Sequence, residues 1–294
     1  MSVPKIKASE RQTILTKLVT VLKKRYGKHL PRDQRPVFET LLFSALLEAA
    51  PTADAEQAWD DLLAAFFDLN EIRVSSISEI EHALKRLPHA DWRALRVRDA
   101  LQTVFETHYK FDLEHLKRKT HEQALKELGT LRFATPFMRL YVIQQCLGGH
   151  VLPLDNCSLD VLIWLGLVEQ GSSVETASED LKSSVRKADA SLLCHMLREL
   201  ASDPMFAGSF KLLAAEKKEG IDPHDAVERL NSLIASGGKK KPAKSTASVK
   251  KTVKKPAATP AKGTKRPKTA KPATAKKVTK KVAKKPATKS PRRK

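Results

Sequence analysis

Apolar residues recur at helical spacing through most of the first 236 positions. Ile14, Leu15, Leu18, Val21 and Leu22 mark one face of a first amphipathic helix that closes before "HLPRDQRP". "VFETLLFSALLEA" is apolar over several turns and is expected at the centre of the core. "DAEQAWDDLLAAFF" follows, with Trp59, Leu62, Leu63, Phe66 and Phe67 at helical spacing. Start signals punctuate the pattern. Ser76 with Glu79 forms a capping box opening "ISEIEHALKRL", and Thr120 with Gln123 caps "HEQALKEL". Pro136 fits the first turn of "PFMRLYVIQQCL", with Gly148 and Gly149 ending that helix. Further helices fit "DWRALRVRDALQTVFETHY", "SLDVLIWLGLV", "ETASEDLKSSVRK", "ASLLCHMLRELAS" and "DPHDAVERLNSLIA"; the last is capped by Asp222, with Pro223 at its first position. No alternating strand pattern competes and no internal repeat is visible, so the expected class is all-α, with about ten short helices. Trp59, Trp92 and Trp164 are expected in the core.

The pattern stops after Ala235. Residues 237–294 are almost wholly Lys, Ala, Pro and Thr, without an aromatic residue. Such a segment buries too little apolar surface to offset its ordering entropy, so a disordered basic C-terminal tail is expected beside a helical domain over 1–236. Charge divides at the same place. Of 54 Lys and Arg residues, 23 lie in 237–294 with no acidic residue, leaving 31 basic against all 33 acidic residues in 1–236. The net +21 is thus a nearly neutral body joined to a polycation.

A polycation of this kind finds polyanions by releasing their counterions. The charges expected to engage phosphates are Lys239, Lys240, Lys241, Lys250, Lys251, Lys254, Lys255, Lys265, Arg266, Lys276, Lys277, Lys280, Lys281, Lys284, Lys285, Arg292 and Arg293. The prolines between them keep the charges spread. In composition the tail resembles those of linker histones and of histone-like bacterial proteins. Double-stranded DNA, bound largely without sequence preference, is the expected partner, with RNA the alternative. The lack of stacking aromatics excludes base reading, and the lack of interspersed Phe, Trp or Leu argues against a membrane surface. "TP" at Thr259 and "SP" at Ser290 offer phosphorylation that would subtract charge.

Cys146, Cys157 and Cys194 are few, odd in number and widely spaced, which argues against a disulfide framework, and there is no C-x-x-C pair for a metal. Neither a signal core at the N-terminus nor an apolar run of the roughly 20 residues a span needs is present. A monomeric, cytoplasmic, nucleoid-associated protein is expected (nuclear in a eukaryotic host), with no metal and no cofactor.

One stretch carries candidate chemistry. "GGHVLPLDNCSLDVLIWLGL" runs from glycines through a proline to a lone carboxylate, Asp155, at the mouth of a helix. Aspartate is a favoured N-cap, which explains the residue without catalysis. A carboxylate fixed there also suits a group that stabilises an oxocarbenium-like transition state or deprotonates a water, and the two roles are compatible. His150 and the Cys194–His195 pair are expected to be loop and packing residues; Cys157 is a weaker nucleophile candidate at the same helix start.

The segment "LGTLRFATPFMRLYVIQQCLGGHVLPLD" resembles the endonuclease III-like branch of the helix-hairpin-helix DNA glycosylases: two helices joined by a hairpin, an apolar stretch, then an h-P-h-D turn into another helix. "RPVFETLLFSALLEAAPTADAEQAWDDLLAAFF" is similar to that family's opening helices. The resemblance covers about residues 30–170. It implies a helix-hairpin-helix glycosylase-like bundle, a candidate DNA glycosylase acting in base excision repair, Asp155 as catalytic carboxylate, and Arg132, Thr135 and Arg139 near the DNA backbone. The departures are specific. The family hairpin reads "LPGVG", and Leu131, Arg132, Phe133, Ala134 and Thr135 stand in its place, without either glycine. Phe137 stands where bifunctional members carry a lysine nucleophile, which excludes lyase chemistry by that route and leaves a monofunctional hydrolase. The four-cysteine cluster loop is absent, and Leu46, Leu47 and Glu48 occupy the neighbourhood of the intercalating glutamine. The rival expectation is a non-catalytic, architectural DNA-binding protein.

Overall fold

The computed structural model describes residues 6–27, 35–212 and 220–237, and the tail positions from Lys239 to Arg293 singled out above lie outside them. All described residues fall in one compact unit, Met1–Ala243. Among them every regular element is helical, and no helix is long and apolar enough to cross a membrane.

The α-helices are α1 (Ala8–Tyr26), α2 (Val37–Leu47), α3 (Thr52–Ala65), α4 (Leu69–Val74), α5 (Ile77–Ala83), α6 (Ala90–His108), α7 (His121–Leu128), α8 (Pro136–Cys146), α9 (Asn156–Trp164), α10 (Val174–Lys182), α11 (Lys187–Ser202) and α12 (Ala226–Ala235); 3-10 turns span Glu114–Arg118 and Pro223–Asp225. Their buried side chains form two separate cores. The first runs from Val37 to Val151 without a break in sequence and takes in α2 to α8. The second combines α1 with the residues from Leu152 to Leu233. The chain therefore opens in one lobe, builds the other, and returns.

The hydrophobic pattern accounts for most of this. Every residue of α2 except Glu39 is buried, as a helix apolar on all sides requires, and α2 packs most extensively on α8. Thr135 caps α8 by accepting from the Met138 N–H, with Pro136 behind it at the first helical position. The capping boxes at Ser76 and Thr120 form as the sequence implies. Asp222 accepts from the His224 N–H, although the turn it opens is 3-10 before it becomes α12.

Two expectations about the core are corrected. α3 ends at Ala65 because Phe66 is extended (φ −131°, ψ 147°) and Asp68 starts a new helix by accepting from the Glu71 N–H. That break leaves Phe67 95% exposed, while Phe66 of the pair packs inward; Leu63, within α3, is 45% exposed. Trp92 is 54% exposed, in the first turn of α6, while Trp59 and Trp164 are buried as expected.

Gly166 is a glycine whose identity the second lobe demands. Its φ is +74°, and a Cβ there would sit 2.7 Å from the Ile221 carbonyl oxygen. Gly171, also at positive φ, faces open space. In denaturant unfolding, Gly166→Ala is expected to cost roughly 3 kcal/mol, combining backbone strain with the clash, against about 1 kcal/mol for Gly171→Ala.

Candidate nucleic-acid interface and the seam between the lobes

The seam is built from helix ends. At the C-terminus of α2, three carbonyls have no partner within the helix. Arg93, in the first turns of α6 and only 4% exposed, supplies them: its guanidinium donates to the carbonyl oxygens of Ala45 (2.8 Å), Leu46 (2.7 Å) and Glu48 (2.7 Å), and to that of Pro88 (2.8 Å). Burial lowers its pKa to about 10, opposed first by the nearby Glu48 carboxylate. The Glu48 side chain accepts from Arg96 (2.7 Å) and from the Thr135 hydroxyl (3.0 Å), tying α2 to the start of α8. Burial pushes its carboxyl up, against the pull of Arg96 and Thr135, and Asp155 adds to the rise.

Asp155 joins this cluster from the second lobe. Its Oδ1 accepts from the Ser158 N–H at 2.7 Å, capping α9; its Oδ2 accepts from the Ala49 N–H at 2.9 Å, just beyond α2. Ala49 sits at φ +55°, a left-handed conformation that directs its amide to the carboxylate. Asp155 is 2% exposed. Here, then, it is a cap and an interlobe tie. Cys157 stands beside it with its thiol pushed up to about 11, by burial first and then by Asp155, which is the opposite of an activated nucleophile.

A second carboxylate crosses the seam in the same manner. α3 begins at Pro51 with no side-chain cap of its own, and Glu199 of α11 accepts from both the N–H (2.7 Å) and the hydroxyl (2.6 Å) of Thr52. Arg198 and His195 complete that buried cluster, each close to the Thr52 hydroxyl, so His195 is a packed residue. His150 approaches the Val185 carbonyl oxygen at 2.9 Å.

The hairpin between α7 and α8 is formed by residues 129–135. None of its residues has positive φ, so the loss of both glycines carries no conformational cost here. Its Phe133 N–H donates to the Asp99 carboxylate of α6. Burial raises the Asp99 pKa, partly offset by that amide and by Arg132. Arg132 is exposed and lies 5.2 Å from the centroid of the Phe133 ring. Arg139 is half-buried, its Nε 3.4 Å from the Thr135 carbonyl oxygen. The Thr135 hydroxyl is used within the protein, accepting from Met138 and donating to Glu48. Of the three hairpin residues expected near DNA, Arg132 is thus the one presented to solvent.

Solved structures share this arrangement of helices. A trapped endonuclease III–DNA covalent intermediate, in its estranged-adenine complex, superimposes with a TM-score of 0.50 at 14% identity, over 66% of this chain and 85% of that one. The fold is that of endonuclease III. A non-covalent endonuclease III–DNA complex gives 0.49 at 16% identity over 64% and 84% of the two chains. The Clostridium acetobutylicum 8-oxoguanine glycosylase/lyase, bound to duplex DNA with cytosine opposite 8-oxoguanine, gives 0.49 at 12% identity over 66% and 69%. No family model and no curated protein sequence matches the chain.

On this endonuclease III-like fold, Phe137 is 2% exposed and stacks on Tyr141 with ring centroids 5.6 Å apart, a core position with no amine. Glu48, Arg93 and Arg96 form the seam cluster that the sequence did not single out as a site. The signal for Arg93 was present: it continues the apolar stripe of Val97, Leu101 and Val104 on α6, so a cation was headed into the core.

Two measurements probe the seam. Arg93→Met leaves the α2 carbonyls without donors and is expected to cost about 3 kcal/mol in denaturant unfolding. Because folding raises the Glu48 pKa above its ordinary 4.5, the folded state holds that proton more tightly, so Glu48 costs stability as pH rises from that value toward neutrality. Glu48→Gln is expected to flatten this part of the stability–pH profile; a slope unchanged by the substitution would show that Glu48 does not titrate in that range.

Proposed function

We propose that the protein binds duplex DNA without sequence preference and serves base excision repair, with an endonuclease III-like body held on DNA by its cationic tail. The observation that carries this reading is the two-lobed fold with a carboxylate, Asp155, capping a helix at the seam between the lobes. Arg132 on the hairpin is an exposed cation of the body for the phosphate backbone, and the tail lysines supply most of the counterion release. Catalysis on this reading is monofunctional hydrolysis. Asp155 would stabilise positive charge on the sugar or take a proton from the attacking water, after the target base has left the stack. Phe137 offers no amine for a Schiff base. Since Asp155 is 2% exposed with an amide on each oxygen, catalysis on this reading requires the seam to open so that the sugar or the attacking water can reach it.

That same burial favours a second reading, in which the body holds DNA and cleaves nothing. One assay separates the two. The full chain and its Asp155→Asn variant are incubated with duplexes carrying uracil, oxidised pyrimidines, alkylated purines or mismatches. The repair reading expects base release from at least one duplex, lowered at least 100-fold in the variant and never followed by strand cleavage. Release from none leaves the non-catalytic reading, and release undiminished by the substitution removes Asp155 from the chemistry.

The tail's part is tested by binding. Deleting residues 238–294 is expected to reduce the salt dependence of duplex affinity by about 0.9 in log–log slope for each phosphate the tail neutralises. An unchanged slope would place the contacts on the body. Stronger binding to RNA than to duplex DNA at matched salt would redirect the partner assignment.

A further inference from the structure

Away from the seam, three residues from three elements converge beside the hairpin. His108 is the last residue of α6, His115 lies in the 3-10 turn, and Glu127 is in the last turn of α7. One donor atom from each lies within 4.8 Å of the other two. The Nε2 atoms of His115 and His108 are 2.5 and 4.0 Å from the same Glu127 oxygen, Oε1. The two imidazole rings are 5.0 Å apart by centroid. The side chains retain between 25% and 35% exposure, so an ion has a path from solvent. A cavity of about 40 Å³ opens at the same place, bordered by His108 and Glu127 and floored by Leu113, Leu116 and Leu128, which leaves room for an ion-bound water.

We propose that His108, His115 and Glu127 form a binding site for a zinc ion, with water as fourth ligand. Two imidazole nitrogens and one carboxylate oxygen are a donor set zinc accepts, in a tetrahedral arrangement with one open position. Glu127 also needs a cation where it stands. A carboxylate in the last turn of a helix faces the negative end of the helix dipole. Lys119 meets that need at Oε2, and the ion would meet it at Oε1. The Lys119 contact therefore orients the ligand and does not block it, as second contacts on metal ligands commonly do.

The site's position gives it a role. Thr130, the second residue of the hairpin, donates both its N–H (3.0 Å) and its hydroxyl (2.7 Å) to the Glu127 carbonyl oxygen. An ion at Glu127 would staple the end of α6, the 3-10 turn and α7 together at the root of the hairpin. No short sequence motif announces the site, since its ligands are spread from His108 to Glu127 and meet only through the fold. The proposal is independent of whether the body binds DNA.

The test is a calorimetric titration of zinc chloride into the metal-free full chain, with thermal unfolding at each zinc level. One equivalent is expected to bind with micromolar affinity and to raise Tm. His108→Ala and His115→Ala are each expected to weaken binding at least tenfold and to abolish the zinc-dependent rise. Glu127→Gln, which keeps the size and one acceptor oxygen, serves as the variant least able to disturb folding and is expected to weaken binding as well. Absence of a zinc-dependent heat and Tm change in the wild type overturns the proposal. So does binding that all three variants retain, which would assign the ion to other ligands such as the cysteines.

Discussion

The Asp155 carboxylate accepts one main-chain amide from each lobe, and the relation between the lobes depends on it. One oxygen caps α9 in the second core; the other holds the Ala49 amide at the end of α2, the most deeply buried helix of the first. Neutral substitutes cannot satisfy both amides equally, because an amide side chain has one acceptor oxygen where a carboxylate has two. Glu199 repeats the device at the N-terminus of α3. Each carboxylate lies where the positive end of a helix dipole favours it, so burying the charge is compensated by the element it caps. A group so held is rigid, which suits an electrostatic catalyst, and at the same time shielded, which suits a strut. Those opposite consequences come from the same pair of hydrogen bonds.

Several helices take their terminal partners from distant sequence. α2 follows Pro36, which has no side chain to cap it, and its Val37 N–H is met by Glu114 at 2.8 Å. Its C-terminal carbonyls are met by Arg93. α3 depends on Glu199. These are the helices at the centre of the molecule, where a local polar cap would itself have to be buried. The peripheral helices α4, α5, α7 and α10 are capped by their own Asp68, Ser76, Thr120 and Ser173. Capping from afar couples the folding of one element to the arrival of another.

This division explains what could be read from the chain. Locally capped helices, the apolar α2, the hairpin between α7 and α8 and the cap at Asp155 were all legible, because their signals lie within a few residues of each other. The resemblance to endonuclease III-like glycosylases led to the same architecture that the superposition gives. What escaped was non-local. The exposure of Phe67 follows from Asp68 starting a helix one residue later, and a helical period alone does not register that. The short 3-10 turn at Glu114–Arg118 carries too few residues for periodicity, yet it supplies both the cap for α2 and one histidine beside Glu127. The seam cluster of Glu48, Arg93 and Arg96 brings together residues more than forty positions apart. Only the interruption of an apolar stripe by Arg93 hinted at it.

The discontinuous second core has a consequence for biosynthesis. Among the described helices α1 is made first, but its packing partners, α11 and α12, are made only after the whole of the other lobe. The contiguous lobe from Val37 to Val151 can close while the chain is still growing. α1 must meanwhile wait with Leu15, Leu18 and Leu22 uncovered, a nascent amphipathic helix exposed to chaperones until α11 and α12 have followed.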